Sequence, residues 1–333
     1  MAGTIQANIS VPTVAIHQPL DSTAKLNYTY RNKLINGDLS VWQRGTPFSI
    51  NPSGYTADRW LATMIGSVTR MEFASGESEL MDNDQYYLLA HPTGGDLSII
   101  IEQRIENVRT MAGKQVTLTF WAKAEGSISL SASLTQHFGT APLPIVPSAD
   151  EVVTPPSVTI LTSWSKHTIT ITLPSVASKV IGTNGDHYLA LKLTMGSSNF
   201  YLSHLQLEQG PLATDFEKRH PGEELRMARR YYEQMDFDNA RLIPAVGHAT
   251  AINYATLVLP YQTKRIAPTI VVPSSIQVLN VGGSAQSTAW TTVLANVDSS
   301  EIKAYASASG LLTGNVVVAK SAGSSSITID AEL

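Results

Sequence analysis

Strict alternation of apolar and polar residues dominates the chain between residues 34 and 218. It is clearest at Ser127–Leu134 and His167–Leu173, where every second residue is apolar. Successive side chains of an extended strand point to opposite faces, so this period of two is typical of a strand with one buried face. Turn-forming segments such as Thr183–Asp186 separate these stretches. The pattern predicts an antiparallel β-sandwich over residues 34–218.

One stretch departs from this period and predicts a helix, Pro221–Met235. A proline suits the first turn of a helix, and Glu223 and Glu224 would lie at its positive end. Four residues at spacings of three, four and three form one apolar stripe: Leu225, Ala228, Tyr232 and Met235. The stripe fits a helix packed on a neighbouring sandwich, and it also fits a short coiled seam around a symmetry axis. Fewer than two heptads are present, so the pattern leaves both interpretations open.

The two ends of the chain differ from the sandwich. Residues 1–33 carry alternating segments but too little apolar surface for a domain, so we expect an extended arm. The arm is either a disordered terminus or a segment that orders against a partner. Residues 238–333 return to strand-like runs, and 219–237 form a helical linker. Only nine of residues 240–333 are Asp, Glu, Lys or Arg, which favours a smaller β-sandwich that buries its flanks in an oligomer.

Composition argues against several classes of function. The formal net charge is −4 and no basic face is evident, so nucleic-acid binding is not expected. The absence of cysteine removes disulfides, thiolate metal sites and cysteine nucleophiles. Neither a signal peptide nor an apolar run of about eighteen residues is evident. We therefore expect synthesis in the cytoplasm and no membrane insertion.

The sequence offers little for catalysis. The eight histidines form no HxH or HExxH pattern, and neither a G-x-S-x-G motif nor a glycine-rich phosphate loop occurs. Glu102 and Glu106 are the candidate carboxylate pair, but on a strand they would lie about 13 Å apart. Glycosidases use pairs about 5–9.5 Å apart. We expect a protein that is not an enzyme and requires no cofactor, although a site assembled between subunits would escape this reasoning.

An ordered series of short motifs resembles a domain common in fibre proteins of tailed phages. It begins with Leu34–Gly45, which contains Asn36-Gly37-Asp38, and continues with Tyr55–Trp60. The later motifs follow in order: Glu102–Val108, Val116–Ala124, Trp164, Leu173–Ser175, Ile181–Asp186, Leu205–Gly210, Ala213–Glu217 and Arg230–Tyr232. Each motif alone is weakly specific, but their order over residues 34–235 is fairly specific. Met227–Arg230 departs from the family, which often has a cysteine there.

The resemblance implies a carbohydrate-binding-like jelly roll with a galactose-binding-like topology, carried on a virion. On that basis the chain is expected to be a fibre or spike subunit that attaches the particle to a host-surface glycan. The N-terminal arm would join other virion proteins. The C-terminal β domain would form the oligomerisation region or the tip of a homotrimer, in which many weak sugar contacts act together. The alternatives are a purely architectural capsid or neck decoration fibre, and a polysaccharide depolymerase with an intersubunit site.

Sugar recognition requires flat aromatic faces and nearby polar groups. Six aromatic residues are the candidate sugar contacts: Trp42, Tyr55, Trp60, Tyr86, Tyr87 and Tyr201. Each of them also fits a place in the core of the sandwich or at the end of a strand. Trp121 follows an alternating strand and Trp164 precedes one, and we expect both to be structural.

The resemblance also implies a candidate metal site. Jelly-roll modules of this kind often hold a structural calcium ion near the two ends of the domain, where Asp38 and Glu208 stand. Carboxylate oxygens are ligands that calcium prefers. Turn capping by Asp38 and a surface ion pair of Glu208 are the alternatives.

Overall fold

The computed structural model describes most of the chain beyond residue 29. The described residues are 30–74, 76–77, 85–93, 98–238, 242–251, 253–273, 276–280, 285–286, 289–305, 311, 313–321 and 323–333. Residues 1–29, most of the predicted arm, lie outside them. Tyr30–Lys33 pack on the first sandwich: the Asn32 side chain is buried, and the Lys33 N–H donates to the Leu207 carbonyl at 2.8 Å.

Thirteen strands among the described residues form the first antiparallel sandwich, as the all-β jelly-roll prediction expects. They are β1 (Phe48–Ile50), β2 (Ser53–Tyr55), β3 (Leu61–Thr63), β4 (Gly66–Glu72), β5 (Tyr86–Pro92), β6 (Ile99–Glu106), β7 (Gln115–Ala124), β8 (Ile128–His137), β9 (Glu151–Val153), β10 (Val158–Ile160), β11 (Ser165–Thr172), β12 (Tyr188–Met195) and β13 (Phe200–Gln209). One sheet has the order β1-β4-β5-β13-β7-β11. The other has the order β10-β8-β12-β6-β3-β2, and β9 pairs with β8.

The alternation in the sequence becomes the division between core and surface. On β7, Val116, Leu118 and Phe120 are fully buried, and on β12 so are Leu189 and Leu191. An aliphatic or aromatic side chain of this size contributes roughly 1.5–3 kcal/mol when it is fully buried. The intervening residues of each strand point to the outer face of their sheet, and on β7 this face includes the buried side chains of Thr117 and Thr119.

The motif at residues 36–38 begins the domain because it packs tightly against β13. The Leu205 N–H donates to the Gly37 carbonyl at 2.8 Å, and a Cβ atom at position 37 would lie 2.2 Å from the Leu205 carbonyl oxygen. Only glycine permits this approach of two backbones. The buried Asn36 side chain donates to the Asp58 carbonyl at 3.1 Å. Backbone packing therefore explains the glycine and the asparagine of the motif.

The C-terminal region forms a second, smaller antiparallel sandwich, as predicted. Its strands are β14 (Tyr232–Phe237), β15 (Leu242–Ala251), β16 (Tyr254–Pro260), β17 (Thr269–Val271), β18 (Ile276–Asn280), β19 (Ala285–Gln286), β20 (Ala289–Ala295), β21 (Ser299–Tyr305), β22 (Val316–Ser321) and β23 (Ser325–Asp330). Three of them form the sheet β14-β23-β17, and seven form the sheet β19-β18-β22-β15-β16-β21-β20. The core between these sheets includes Ile243, Leu257, Val317, Ile327 and Ile329.

Helix α1 spans Pro221–Arg229 and is shorter than the predicted Pro221–Met235. Its start is as expected, because proline occupies the first turn and two glutamates follow. The predicted continuation is wrong, since Tyr232–Phe237 is strand β14 and pairs with β23. Pairing with a neighbouring strand outweighs the weak helix preference of this aromatic-containing segment. No helix in the described part of the chain is long and apolar enough to cross a membrane.

The four residues of the predicted seam lie on two elements. Leu225 and Ala228 belong to α1, and Ala228 is fully buried. Tyr232 and Met235 belong to β14, where Tyr232 is buried beneath Arg44 and Met235 packs on the C-terminal core. A single apolar stripe along one helix is therefore wrong, and the coiled seam loses its geometric basis.

A buried cluster joins the two sandwiches. We call it the arginine clasp, and it consists of Arg44, Arg59, Tyr231, Tyr232 and Glu332. The Arg59 guanidinium lies 3.4 Å from the centre of the Tyr231 ring and forms an ion pair with Glu332. The Arg44 guanidinium lies 3.5 Å from the centre of the Tyr232 ring and 3.4 Å from the Glu332 carboxylate. Burial by itself would lower the pKa of Arg59, but the Glu332 charge raises it, so the guanidinium stays charged.

Candidate functional site

Aromatic side chains from four parts of the chain meet on the outer face of the sheet β1-β4-β5-β13-β7-β11. Tyr87 comes from β5 and Tyr201 from β13, and these two strands are neighbours. Trp164 directly precedes β11, and Phe73 directly follows β4. Tyr201 faces outward because the residues on either side of it in β13 are buried in the core. The strand order of the sheet, rather than proximity in the sequence, brings these residues together.

The four rings form one continuous apolar surface. Tyr87 contacts the other three, with ring-centre distances of 4.8 Å to Phe73, 5.5 Å to Trp164 and 5.9 Å to Tyr201. Trp164 lies 5.4 Å from Phe73 and 6.4 Å from Tyr201. The ring planes are inclined by 48° to 76°, the tilted and edge-on geometry that aromatic pairs favour. Tyr87 is buried, whereas Phe73, Trp164 and Tyr201 are half-buried and keep part of their surface in solvent.

Charged side chains surround the rings. The Lys123 ammonium lies 4.9 Å from the centre of the Tyr201 ring and 5.1 Å from that of Trp164, within reach of cation–π attraction. It also forms an ion pair with Glu77 at 3.1 Å. The Tyr201 hydroxyl donates to the Glu125 carboxylate at 3.1 Å. Burial, and then this hydrogen bond, raise the pKa of Tyr201, so the phenol is neutral at neutral pH.

We call this group the aromatic site: Phe73, Glu77, Tyr87, Lys123, Glu125, Trp164 and Tyr201. It combines aromatic surface with one ammonium donor and two carboxylate acceptors. Such a set suits a hydroxylated ring, since the apolar face of the ring packs on an aromatic while its hydroxyl groups bond to the charged residues.

Two of the six predicted sugar contacts, Tyr87 and Tyr201, lie in the aromatic site. Trp42 and Trp60 are buried in the core instead, and each indole N–H donates to a backbone carbonyl. Burial excludes both tryptophans from a surface contact. Their positions near the start of the domain reflect packing around the glycine motif.

The other two predicted contacts, Tyr55 and Tyr86, are held by arginines. The Arg44 guanidinium lies 5.1 Å from the centre of the Tyr55 ring, and the Tyr55 hydroxyl donates to the Leu333 carbonyl oxygen at 2.9 Å. Burial raises the pKa of Tyr55 to about 12. Arg70 lies 4.4 Å from the centre of the Tyr86 ring. Tyr55 therefore contributes to the junction of the two sandwiches, and Tyr86 faces away from its neighbour Tyr87.

Trp164 belongs to the aromatic site, although its place before an alternating strand predicted a structural role. A signal in the sequence could have found it. Trp164 has the same parity as Lys166 and Thr168, the exposed residues of β11. Phe73 likewise continues the parity of Met71, which is opposite Tyr87 in the register of β4 and β5. Trp121 is half-buried on β7 and is opposite Ser203 of β13.

The predicted calcium ligands are engaged in other contacts. The Glu208 carboxylate is buried and accepts hydrogen bonds from the Thr214 N–H at 2.9 Å, the Thr214 hydroxyl at 2.7 Å and the Gln206 amide at 2.9 Å. The Asp38 carboxylate accepts from the Ser40 N–H at 3.4 Å, which matches turn capping. Among the described residues, no group of three or more His, Asp or Glu side chains could hold a metal ion. The calcium site stays a prediction that these contacts do not support.

The candidate carboxylate pair on β6 is held in ion pairs. Glu102 lies 2.7 Å from Arg104 and 3.6 Å from Lys192. Glu106 lies 2.8 Å from Arg230. Burial alone would raise the pKa of Glu106, but the hydrogen bonds and charge of Arg230 lower it, so this carboxylate is an anion at neutral pH. Glu106 is therefore poorly suited to donate a proton.

The chain is similar to solved structures, but no protein-family model and no curated protein matches it. The family 11 carbohydrate-binding module of Clostridium thermocellum, in complex with a β-1,3-1,4-mixed-linked tetrasaccharide, is 12% identical with a TM-score of 0.28. The similarity covers 50% of this chain and 96% of that one. The CBM22-1–CBM22-2 tandem domain of Paenibacillus barcinonensis Xyn10C is 10% identical with a TM-score of 0.30. This similarity covers 85% of the present chain and 94% of the tandem domain.

A phage protein is also among the similar structures. The enzymatically active domain of bacteriophage CBA120 tailspike protein 4 is 16% identical with a TM-score of 0.32, and the similarity covers 54% of this chain and 22% of that one. These structural neighbours are mainly jelly-roll carbohydrate-binding modules. Identities and TM-scores this low carry no argument about function, so the resemblance to fibre proteins of tailed phages stays a prediction.

Proposed function

We propose that this protein is a non-catalytic glycan-binding subunit and that the aromatic site is its sugar-binding surface. The observation that carries the proposal is the half-buried pair Trp164 and Tyr201, with Lys123 above both rings. In a sheet whose outer face meets water, exposed positions favour polar residues. An aromatic cluster at such positions, with charged groups of both signs at its margin, indicates a surface that binds an amphipathic ligand.

A saccharide has this amphipathic character. One face of a pyranose ring presents C–H groups that pack on an aromatic ring, and its edge presents hydroxyl groups. Lys123 can donate to a ring hydroxyl, while Glu77 and Glu125 can accept. A shallow surface with three partly exposed rings binds weakly, so several copies on one assembly would be needed for firm attachment.

The finer proposal is that several copies act on a virion as a fibre or spike that attaches to host-surface glycan. Its support is the ordered motif series over residues 34–235. The N-terminal arm, residues 1–33, is the proposed attachment segment, and the chain is proposed to form a homotrimer. A chain that assembles into particles but recognises no glycan would favour the purely architectural alternative.

Tryptophan fluorescence and a glycan array test the aromatic site. We expect the wild-type chain to bind fragments of surface polysaccharide, and Trp164→Ala or Tyr201→Ala to reduce the affinity at least about fivefold, since a buried aromatic contact is worth more than ~1 kcal/mol. Tyr188→Ala is the matched control, because Tyr188 is a half-buried tyrosine on the outer face of the other sheet. Binding that Tyr188→Ala abolishes and Tyr201→Ala preserves would place the site on the wrong face. Release of shortened saccharides would overturn the non-catalytic assignment.

A further inference from the structure

The surface that carries the aromatic site continues along strand β7. Trp121, Lys123 and Glu125 follow one another at every second residue, so all three point to the outer face of the sheet. Ala122 and Ala124, which lie between them, belong to the core. Lys123 and Glu125 are members of the aromatic site, and Trp121 is their neighbour on the same strand and the same face.

Trp121 forms a second aromatic platform beside the first. Its side chain is half-buried, and it is opposite the exposed Lys166 of β11. The Lys123 ammonium, which lies over the rings of Trp164 and Tyr201, stands between those rings and Trp121. Two residues along a strand span about 6.6 Å and the step to the next strand is about 4.8 Å, so Trp121 is attached to the sheet about 8 Å from each of the two. One pyranose ring cannot cover both platforms.

The two ends of this line differ in chemistry. Lys166 provides an ammonium group beside Trp121, and Glu125 provides an exposed carboxylate at the other end. The Glu125 N–H donates to the Asn199 carbonyl at 3.1 Å, and the Asn199 side-chain oxygen lies 2.6 Å from a ring nitrogen of His91, so this end is polar. The four residue steps from Trp121 to Glu125 span about 13 Å of extended strand. Aromatic and hydrogen-bonding groups therefore alternate over more than the length of one sugar ring.

The position of β7 inside its sheet argues against an extended peptide as the ligand of this line. A peptide that binds a sheet adds a strand to its edge and uses backbone N–H and C=O groups for affinity. Strand β7 pairs with β11 on one side and with β13 on the other, so its backbone groups are already engaged. The line presents side chains instead: flat rings, ammonium groups and a carboxylate. These are the groups that recognise the C–H faces and the hydroxyl groups of sugars.

We infer that the ligand of the aromatic site is an extended oligosaccharide that lies along β7, with one sugar ring on Trp164 and Tyr201 and another on Trp121. The inference rests on the proposed function and gives it a substrate class, a linear chain of several sugars rather than a single sugar. Lys123 lies between the two ring positions and can donate to hydroxyl groups of both sugars. Because one ligand makes both contacts, its affinity increases with its length until both platforms are covered.

Isothermal titration calorimetry of the full chain tests this dependence on length. The probes are the constituent monosaccharides of the polysaccharide that binds on the glycan array, and a tetrasaccharide cut from it. We expect the wild type to bind the tetrasaccharide at least about fivefold more tightly, because a second aromatic contact is added. Trp121→Leu, which keeps an apolar side chain but loses the flat ring, should remove this gain and change monosaccharide affinity by less than about twofold. Trp121→Phe keeps a flat ring and should retain most of the gain, and Tyr188→Ala should match the wild type for both probes.

Three outcomes would overturn the inference: a wild type that binds both probes equally, a folded Trp121→Leu that keeps the gain, or a folded Trp121→Phe that loses as much as Trp121→Leu. Circular dichroism establishes whether each variant folds. If Trp121→Leu does not fold, Lys166→Ala takes its place, because Lys166 is exposed and its loss leaves the core intact. Lys166→Ala should weaken tetrasaccharide binding at least about twofold and leave monosaccharide binding unchanged, and equal tetrasaccharide binding would count against the second platform. In each of these cases the proposed function stands as long as Tyr201→Ala still weakens binding, whereas an array on which nothing binds overturns both.

Discussion

Replacing Glu332 by glutamine should uncouple the two sandwiches, because it removes one charge from the buried arginine clasp. The Arg59 side chain is 1% exposed and the Glu332 side chain is 6% exposed. Removing one partner of such a buried pair typically costs about 3–5 kcal/mol, since the remaining charge is left without compensation. Arg59 keeps two favourable contacts, the Arg104 carbonyl and the Tyr231 ring. A desolvated cation–π contact is worth up to ~2 kcal/mol, so we expect Glu332→Gln to lower the free energy of unfolding by about 1–3 kcal/mol.

Urea unfolding followed by tryptophan fluorescence and by circular dichroism measures this change. The chain has five tryptophans, four of them in the first sandwich. A chain of this size need not unfold in one step, so each transition is fitted separately. The matched control is Glu151→Gln, whose partner Lys179 lies at 2.9 Å in an ion pair between two partly exposed side chains. Such a pair contributes little, and the control should unfold like the wild type.

A double replacement distinguishes loss of charge compensation from general damage. In the Glu332→Gln background, Arg59→Met removes the uncompensated charge and should restore part of the lost stability, because an apolar residue of similar volume is often as good as a buried ion pair. If the free energy of unfolding of Glu332→Gln lies within ~0.5 kcal/mol of the wild-type value, as is usual for a surface substitution, the clasp does not couple the sandwiches. If Arg59→Met makes the variant less stable still, the packing of the arginine matters more than its charge.

Three further perturbations test the buried polar groups and the glycine motif. Burial raises the pKa of Asp58 from 3.8 to about 6, so the folded chain binds a proton that the unfolded chain releases, and stability falls as pH rises from about 4 to about 6. Asp58→Asn should abolish this fall. At ~1.4 kcal/mol per pKa unit, the variant should be up to about 3 kcal/mol more stable than the wild type at pH 7. Urea unfolding of both proteins at about pH 4 and at pH 7 measures the difference. Lys264→Met should lower the free energy of unfolding by about 3–5 kcal/mol in the same assay, because it leaves the buried Glu233 carboxylate without the ammonium that lies 2.6 Å from it. Adding Glu233→Met should recover most of this loss. Gly37→Ala should lower the free energy of unfolding by about 1–3 kcal/mol or more through the clash with β13. The control is Gly126→Ala, where a Cβ atom meets nothing within 4 Å. Equal thermal midpoints of the two variants would contradict the packing account of the motif.

The aromatic site shows which part of a binding surface can be read from a sequence. The alternation of β13 indicates that Tyr201 shares a face with Ser203, and the parity of β11 places Trp164 on the water side. That both residues share a surface with Tyr87 follows from the order β5-β13-β7-β11, which no local pattern specifies. The same limit affected Trp42 and Trp60, because an aromatic residue outside an alternating run has no parity to assign it to core or surface.

The hydrophobic period of two by itself determined the all-β class, the antiparallel first sandwich and the second, smaller one, since a strand that must bury one face needs a partner sheet. It could not determine where α1 ends. Residues 230–235 continue an apolar spacing that a helix would accept, and only pairing of β14 with β23, nearly a hundred residues later in the chain, makes them a strand. It also could not show the arginine clasp, whose members lie in three widely separated parts of the chain. Local sequence sets the preference of each segment, but long-range pairing and burial of charge are decided by which segments meet, and that is a property of the tertiary structure.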